Sequence, residues 1–222
     1  MPSRLPFHQE LQRMHDHILL IAAAAQESLN KAVQAINERD LEIAEEVIEA
    51  DTHINQLECE INEMALQMLA LSQPVARDLR FIIGGNWIAR NIERVGDQAV
   101  NIAERAILLA TRPPLPNQDM LARIAEISVE MYKNAIDAFR GHDEKMARYV
   151  CISDEEVDEL DVLILRKLID HMISDTFSAE RSVHALLASH CFERVADLSV
   201  NIAENAIFID KGENIKHSCQ KL

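Results

Sequence analysis

The sequence predicts an all-α protein of two tandem three-helix bundles, on three observations. Apolar residues recur at three- and four-residue spacing through long segments separated by few breakers. The chain has only five glycines and six prolines, and its aromatic content is 4%. That composition suits helices and disfavours a sheet, which draws on aromatic and β-branched residues and on frequent turns. Third, residues 93–107 (ERVGDQAVNIAERAI) and 193–207 (ERVADLSVNIAENAI) agree at eleven of fifteen positions at an offset of one hundred. A match of that length marks an internal duplication.

The breakers set the elements. A first helix begins near the N-terminus and ends at Asn37-Glu38-Arg39-Asp40, where Asp40 is a natural cap for the second. The second helix carries its apolar face on Ile54, Leu57, Ile61, Met64 and Met68, and breaks at Ser72-Gln73-Pro74. The third, with Ile88, Ile92, Val95, Ala99 and Ile102 inward, runs to Thr111-Arg112-Pro113-Pro114-Leu115-Pro116-Asn117, the chain's one proline cluster. Gly141-His142-Asp143 repeats the Asp40 break, and Ser174-Asp175-Thr176 repeats the Pro74 break. The expected units are therefore residues 1–112 and 117–212, followed by a polar tail at 213–222. Asp40, Asp51, Ile54, Asn55, Leu57 and Glu58 align with Asp143, Asp154, Val157, Asp158, Leu160 and Asp161 at an offset of 103. The second unit is thus three residues shorter ahead of its third helix.

The net charge of −15 repels nucleic acid, free phosphate and bare anionic lipid, and favours cations and basic protein patches. Met1 to Glu10 holds no apolar stretch of the kind that marks a signal peptide. The longest apolar run, Ile18 to Ala25, is far short of a membrane span. Cys59, Cys151, Cys191 and Cys219 lack metal-clip or redox spacing and read as free thiols in a reducing compartment. A cytoplasmic protein that reaches membranes only through partners is expected.

Candidate chemistry lies in two polar stripes per unit. Glu93, Asp97, Asn101 and Glu104, spaced four, four and three, share one side of the third helix, and Glu193, Asp197, Asn201 and Glu204 repeat them. The second helices add Asp51, Asn55 and Glu58 in one unit, Asp154, Asp158 and Asp161 in the other. A plain solvated face is the simplest account of such stripes. Against it, acids four apart repel by a few tenths of a kcal/mol, and mid-helix asparagine is a poor helix former that recurs in both copies. Stacked carboxylates and amide oxygens are hard-ligand chemistry, suited to Mg²⁺, Mn²⁺, Ca²⁺ or iron. Arg94 and Arg194 are expected in salt bridges, Arg77 and Arg80 in a cap and ion pair, and Trp87 in packing. No histidine lies three residues after a glutamate, so the Glu-x-x-His motif of di-iron bundles is missing. Nor is there a Gly-rich phosphate loop or a Ser/His/Asp pattern.

Two three-helix units, each ending in Asn-Ile-Ala-Glu preceded by Glu-Arg-Val-x-Asp, resemble the PhoU family. The stretch Gln73-Pro74-Val75-Ala76-Arg77-Asp78-Leu79-Arg80 is also similar to that family's first unit, and the resemblance runs from Phe7 to Ile209. It implies an accessory regulator of a phosphate ABC transporter. Such a protein restrains the phosphate-starvation response between the transporter's ATPase and a membrane sensor histidine kinase. The family's acid-x-x-x-Asp motifs hold surface metal clusters in some members. Carried over, they are Glu93 with Asp97, Glu193 with Asp197, and Asp154 with Asp158, while Asp51 with Asn55 departs by an amide. Gly96 also becomes Ala196. The implied cofactor is one or more divalent or ferric ions (Fe, Mn, Mg, Ca or Zn). A homodimer is expected as well, with Leu19, Leu20 and Ala23 of the first helix available to a core or a dimer face.

Two functions remain open at this stage. One is a non-enzymatic signalling adaptor; the other is a metal-dependent enzyme or metal-handling protein using the carboxylate stripes. A catalytic metal site adds a base, a nucleophile or a shaped pocket. No such group accompanies the stripes in the sequence, which favours the adaptor and predicts no enzymatic activity.

Overall fold

The computed structural model describes residues 4–115, 118–213 and 215. Six helices follow in order: α1 Arg4–Glu38, α2 Leu41–Ser72, α3 Ala76–Ala110, α4 Gln118–Gly141, α5 Glu144–Ser174 and α6 Ala179–Lys211, with a 3-10 turn Thr176–Ser178 before α6. No strand occurs among the described residues. Helices α1, α2 and α3 pack on one another, as do α4, α5 and α6, and the two sets meet along α3 and α6.

The first turn of the second helix is built alike in the two units. Asp40 accepts from the amides of Glu42 (2.9 Å) and Ile43 (3.2 Å), and Asp143 accepts from those of Lys145 (2.9 Å) and Met146 (3.1 Å). These bonds satisfy amides that a helix start leaves without partners. The residue before each cap is left-handed, Arg39 at φ 61° and His142 at φ 53°. Both side chains then reach the far end of the unit's third helix. The Arg39 guanidinium donates to the carbonyls of Leu109, Ala110 and Arg112, a cation set against a helix C-terminus. His142 Nδ1 lies 2.8 Å from Asp210 Oδ1 near the end of α6.

The expected apolar faces are buried: Ile54, Leu57, Ile61 and Met68 on α2, and Ile88, Ile92, Val95, Ala99 and Ile102 on α3, with Met64 partly so. They belong to one continuous core that runs through both bundles. Helices α3 and α6 are antiparallel. Gly84 lies against Ile209 and Phe208, Arg80 Nε donates to the Ile209 carbonyl at 3.3 Å, and at the other end Arg112 pairs with Glu180 at 2.7 Å. Helices α1 and α4 also touch, where the fully buried Tyr132 donates its hydroxyl to the Ala22 carbonyl at 3.1 Å. Burial pushes that phenol far above its ordinary range. On α1, Leu19 packs against the core, whereas Leu20 and Ala23 face outward.

Two side-chain expectations change. Cys59 and Cys191 are free, but the fully buried Cys151 is disulfide-bonded rather than a packed thiol. Arg77 does pair with Asp210, at 3.9 Å, yet among the described residues neither Arg94 nor Arg194 makes an ion pair. Both are exposed, and Arg94 lies on the flank of α3 turned toward α6, because the acids one turn away face the seam with the second helix. Trp87 packs as expected, half exposed and resting on Phe208.

Candidate functional site

Each unit carries a carboxylate face where its second and third helices run side by side. In the first unit the close approach of α2 and α3 is marked at Gly96, where a Cβ would stand 3.1 Å from Ile54 Cδ1 and 3.7 Å from Asp51 Oδ1. The seam brings Asp51 and Glu58 of α2 to Glu93 and Asp97 of α3. The Glu93 carboxyl is held above its ordinary range by partial burial, then by Asp97, Glu58 and Asp51, with Arg90 offsetting part of the effect. Asp97 is raised by burial and then by Asp51, with Arg94 acting in the opposite sense. Asn55 joins the group by donating to Asp51 Oδ2 at 2.7 Å.

The second unit repeats the arrangement with Asp158, Asp161, Glu193 and Asp197. Asp158 is raised by burial and by Asp197, Asp161 and Glu155. Glu193 is raised by burial, Asp197, Asp161 and Asp158, and lowered in part by His190. Asp161 accepts a 2.6 Å hydrogen bond from Ser189 Oγ. His190 Nδ1 stands 3.3 Å from Glu193 Oε2 and 4.0 Å from Asp161 Oδ2. Asp154, one turn before Asp158, is buried.

The stripes therefore divide. The structure gathers Asp51, Asn55, Glu58, Glu93 and Asp97 on one face, and Asp158, Asp161, Glu193 and Asp197 on the other. The asparagines of the third helices have other neighbours. Asn101 donates to Gln98 Oε1 at 3.5 Å, and Asn201 donates to the Asp197 carbonyl at 2.9 Å while facing α3 across the seam between the bundles. The contributions of Ser189 and His190 were missed from sequence. The offset of one hundred was the signal available, since it sets His190 where the first unit has Arg90.

Among the described residues, no group of three or more His, Cys, Asp or Glu side chains is arranged to hold a metal ion. The donors nonetheless suit an oxygen-preferring cation. Asp51 Oδ1, Asn55 Oδ1 and Glu193 Oε2 are buried acceptors without a hydrogen bond, and such atoms carry a desolvation cost until something positive meets them. Asp51, Asn55, Glu58, Glu93 and Asp97 would hold such an ion on the first face; Asp158, Asp161, Glu193 and Asp197 would hold it on the second.

The raised carboxyls give a pH prediction for the metal-free protein. Between the ordinary carboxyl range, about pH 4, and their raised values, Glu93, Asp97, Asp158 and Glu193 hold more protons folded than unfolded. Stability from these groups is therefore full at low pH and is lost as pH rises through the folded values. A variant with Glu93→Gln, Asp97→Asn, Asp158→Asn and Glu193→Gln should melt above the wild type. The gap should widen from pH 4 upward and then level off. A gap independent of pH would remove the raised carboxyls from the account.

A model of the PhoU domain matches the chain twice, over residues 11–106 and 121–206. The chain is 39% identical over 209 residues to the phosphate-specific transport system accessory protein PhoU homolog of Aquifex aeolicus, across 94% of this chain and 95% of that protein. A crystal structure of PhoU from Pseudomonas aeruginosa shares the fold at a TM-score of 0.90 and 34% identity, covering 93% of this chain and all of that one (100%). That of the phosphate transport system regulatory protein PhoU from Streptococcus pneumoniae does so at 0.87 and 28%, covering 95% and 99%. With the domain repeated over both bundles and relatives similar from end to end, the chain belongs to the PhoU family.

Proposed function

We propose that this chain is an accessory regulator of phosphate uptake that restrains the phosphate-starvation response. It does so by contact with the ATPase of a phosphate ABC transporter and with a sensor histidine kinase. The observation that carries the reading is the near full-length likeness to relatives named as accessory proteins of the phosphate-specific transport system. The chemistry of the faces agrees with a role by contact. Each offers clustered anionic oxygens, which recruit basic partner groups directly, or anionic ones once a cation is bound. No helix among the described residues is long and apolar enough to cross a membrane, so a cytoplasmic protein of this kind meets the transporter and the kinase at their cytoplasmic portions. The reading is non-enzymatic and includes a homodimer and hard metal ions as cofactors.

The test is a starvation-promoter reporter in a deletion strain grown in rich phosphate. Deletion should raise the reporter, and the wild-type chain should silence it again. A chain with Glu93, Asp97, Glu193 and Asp197 all changed to alanine should fold and fail to silence it fully. A silent reporter in the deletion strain removes the regulatory reading. Full repression by the quadruple variant removes the acidic faces from the mechanism.

A further inference from the structure

Beside Trp87, the seam between α3 and α6 opens into a cavity of about 360 Å³. That is within the range of small-molecule sites, roughly 300–1,000 Å³. Its aromatic wall is Trp87, 48% exposed and packed at a 37° tilt against Phe208 with ring centroids 5.7 Å apart. One and two turns further along α3, Arg90 and Arg94 line the same space. Across from them α6 supplies Asn201, Glu204 and Asn205. Asn201 and Asn205 spend an amide hydrogen on the carbonyls of Asp197 (2.9 Å) and Asn201 (2.8 Å), which leaves each Oδ1 as an acceptor.

Two features need explaining. Arg90 and Arg94 sit four residues apart, a repulsive spacing for like charges, and among the described residues neither makes an ion pair. In a chain of net charge −15 with acids on every helix, these two guanidinium groups also act on Glu93 and Asp97 of the first face, yet they share a cavity lined by a single carboxylate and mark a place for an external anion. The second feature is a half-exposed tryptophan next to them. An indole face of that kind is a stacking platform for a flat ring.

The internal repeat separates ligand from scaffold. At an offset of one hundred, Arg94, Asn201 and Glu204 recur as Arg194, Asn101 and Glu104 on the opposite side of the seam. Trp87 and Phe208 become Leu187 and Leu108, and Arg90 becomes His190. If the aromatic pair only joined the helices, both sides would need it. It is present on one side alone, the side with two arginines.

We propose that this cavity binds a nucleotide. The phosphoryl group lies on Arg90 and Arg94, the sugar hydroxyls donate to Asn201 and Asn205, and the base stacks on Trp87. Trp87 is the chain's single tryptophan, so its emission reports the site alone.

The purified full chain, freed of metal with chelator, is titrated with adenosine monophosphate, adenosine and inorganic phosphate in turn. Emission should change saturably with adenosine monophosphate, and adenosine and phosphate should each bind at least about tenfold more weakly. The Arg90→Gln and Arg94→Gln changes should each weaken adenosine monophosphate by about tenfold or more with an unchanged circular dichroism spectrum. Arg94→Lys should restore only part. Calorimetry on Trp87→Leu should show the same preference for nucleotide over phosphate lost. The proposal is overturned by the absence of any saturable change. It is overturned equally by wild-type affinity in both glutamine variants, or by inorganic phosphate binding as tightly as the nucleotide.

Discussion

Replacing Gly84 with leucine should destabilise the protein by about 3 kcal/mol, the upper part of the range for overpacking a filled core. Even a Cβ at this position would stand 2.6 Å from Ile209 Cγ1 and 3.0 Å from its Cδ1. Ile209 is buried and β-branched, so it has little rotamer freedom with which to retreat. Leucine is a better helix former than glycine by roughly 1 kcal/mol. That gain works against the loss, and the clash outweighs it because neither helix can move without opening the shared core. For a chain of this size the change corresponds to a fall in melting temperature of roughly 6–12 °C, measurable by calorimetry. Truncating Ile209 to alanine in the same chain should recover part of the loss, so the double variant should be more stable than the two single changes predict together. Gly96→Ala is the contrasting case. Its Cβ would meet Ile54 at 3.1 Å and 3.2 Å, the second unit already has alanine there, and the helix gains propensity. A change within about 1 kcal/mol is expected. If Gly84→Leu were as mild, α3 and α6 would not be docked as described.

The second large effect concerns cations. If the acidic faces bind metal, purified protein should take up Mn²⁺ or ferric iron, and its melting temperature should rise with the free ion. At one hundred times the dissociation constant, the stabilisation is about 2.7 kcal/mol for each site. Asp97→Ala and Asp197→Ala should each remove one part of the uptake seen by elemental analysis, and together they should remove more. The two parts need not be equal, since the first face is bordered by Arg90 and the second by His190. A guanidinium repels an approaching cation, whereas an imidazole can ligate one. The opposite result is equally specific. Should the faces be merely solvated, each alanine would relieve repulsion, stabilise the fold by a few tenths of a kcal/mol and leave metal content unchanged.

The helices and their pairing within units were legible in the sequence because each depends on a local signal. Asp40 and Asp143 cap where a short polar residue precedes a periodic run, and Ile54, Leu57 and Ile61 turn inward because the 3.6-residue period leaves them no other face. The carboxylate faces were legible in part. That Asp51 and Glu58 meet Glu93 and Asp97 follows from two polar lines flanking two apolar ones. The fate of the asparagines did not follow, because helical spacing fixes a direction only to within a broad arc. Asn201 lies at the edge of that arc, where the neighbour is a helix one hundred residues away in sequence. The same limit hid Trp87, whose companion Phe208 lies in the other unit, and Ser189, which reaches Asp161 across a helix pair. The expected salt bridges of Arg94 and Arg194 failed for a related reason. Charge balance says that an arginine beside acids will pair, but a rigid helix sets the acids toward one seam and the arginines toward another.

The antiparallel meeting of α3 with α6 bears on ancestry. Residue 84 lies against 209 and residue 112 against 180, so matched positions of the two repeats face each other across an approximate dyad near residues 96 and 196. A single three-helix unit of the ancestral kind would have exposed the inner flank of its third helix, and a second identical molecule turned through half a revolution would have covered it. A duplication of such a pair would give the present chain, with the prolines after Thr111 joining the two units. Fusion released the two sides of the dyad from having to be the same. One side carries tryptophan and phenylalanine where the other carries leucines, an asymmetry closed to a homodimer of identical units.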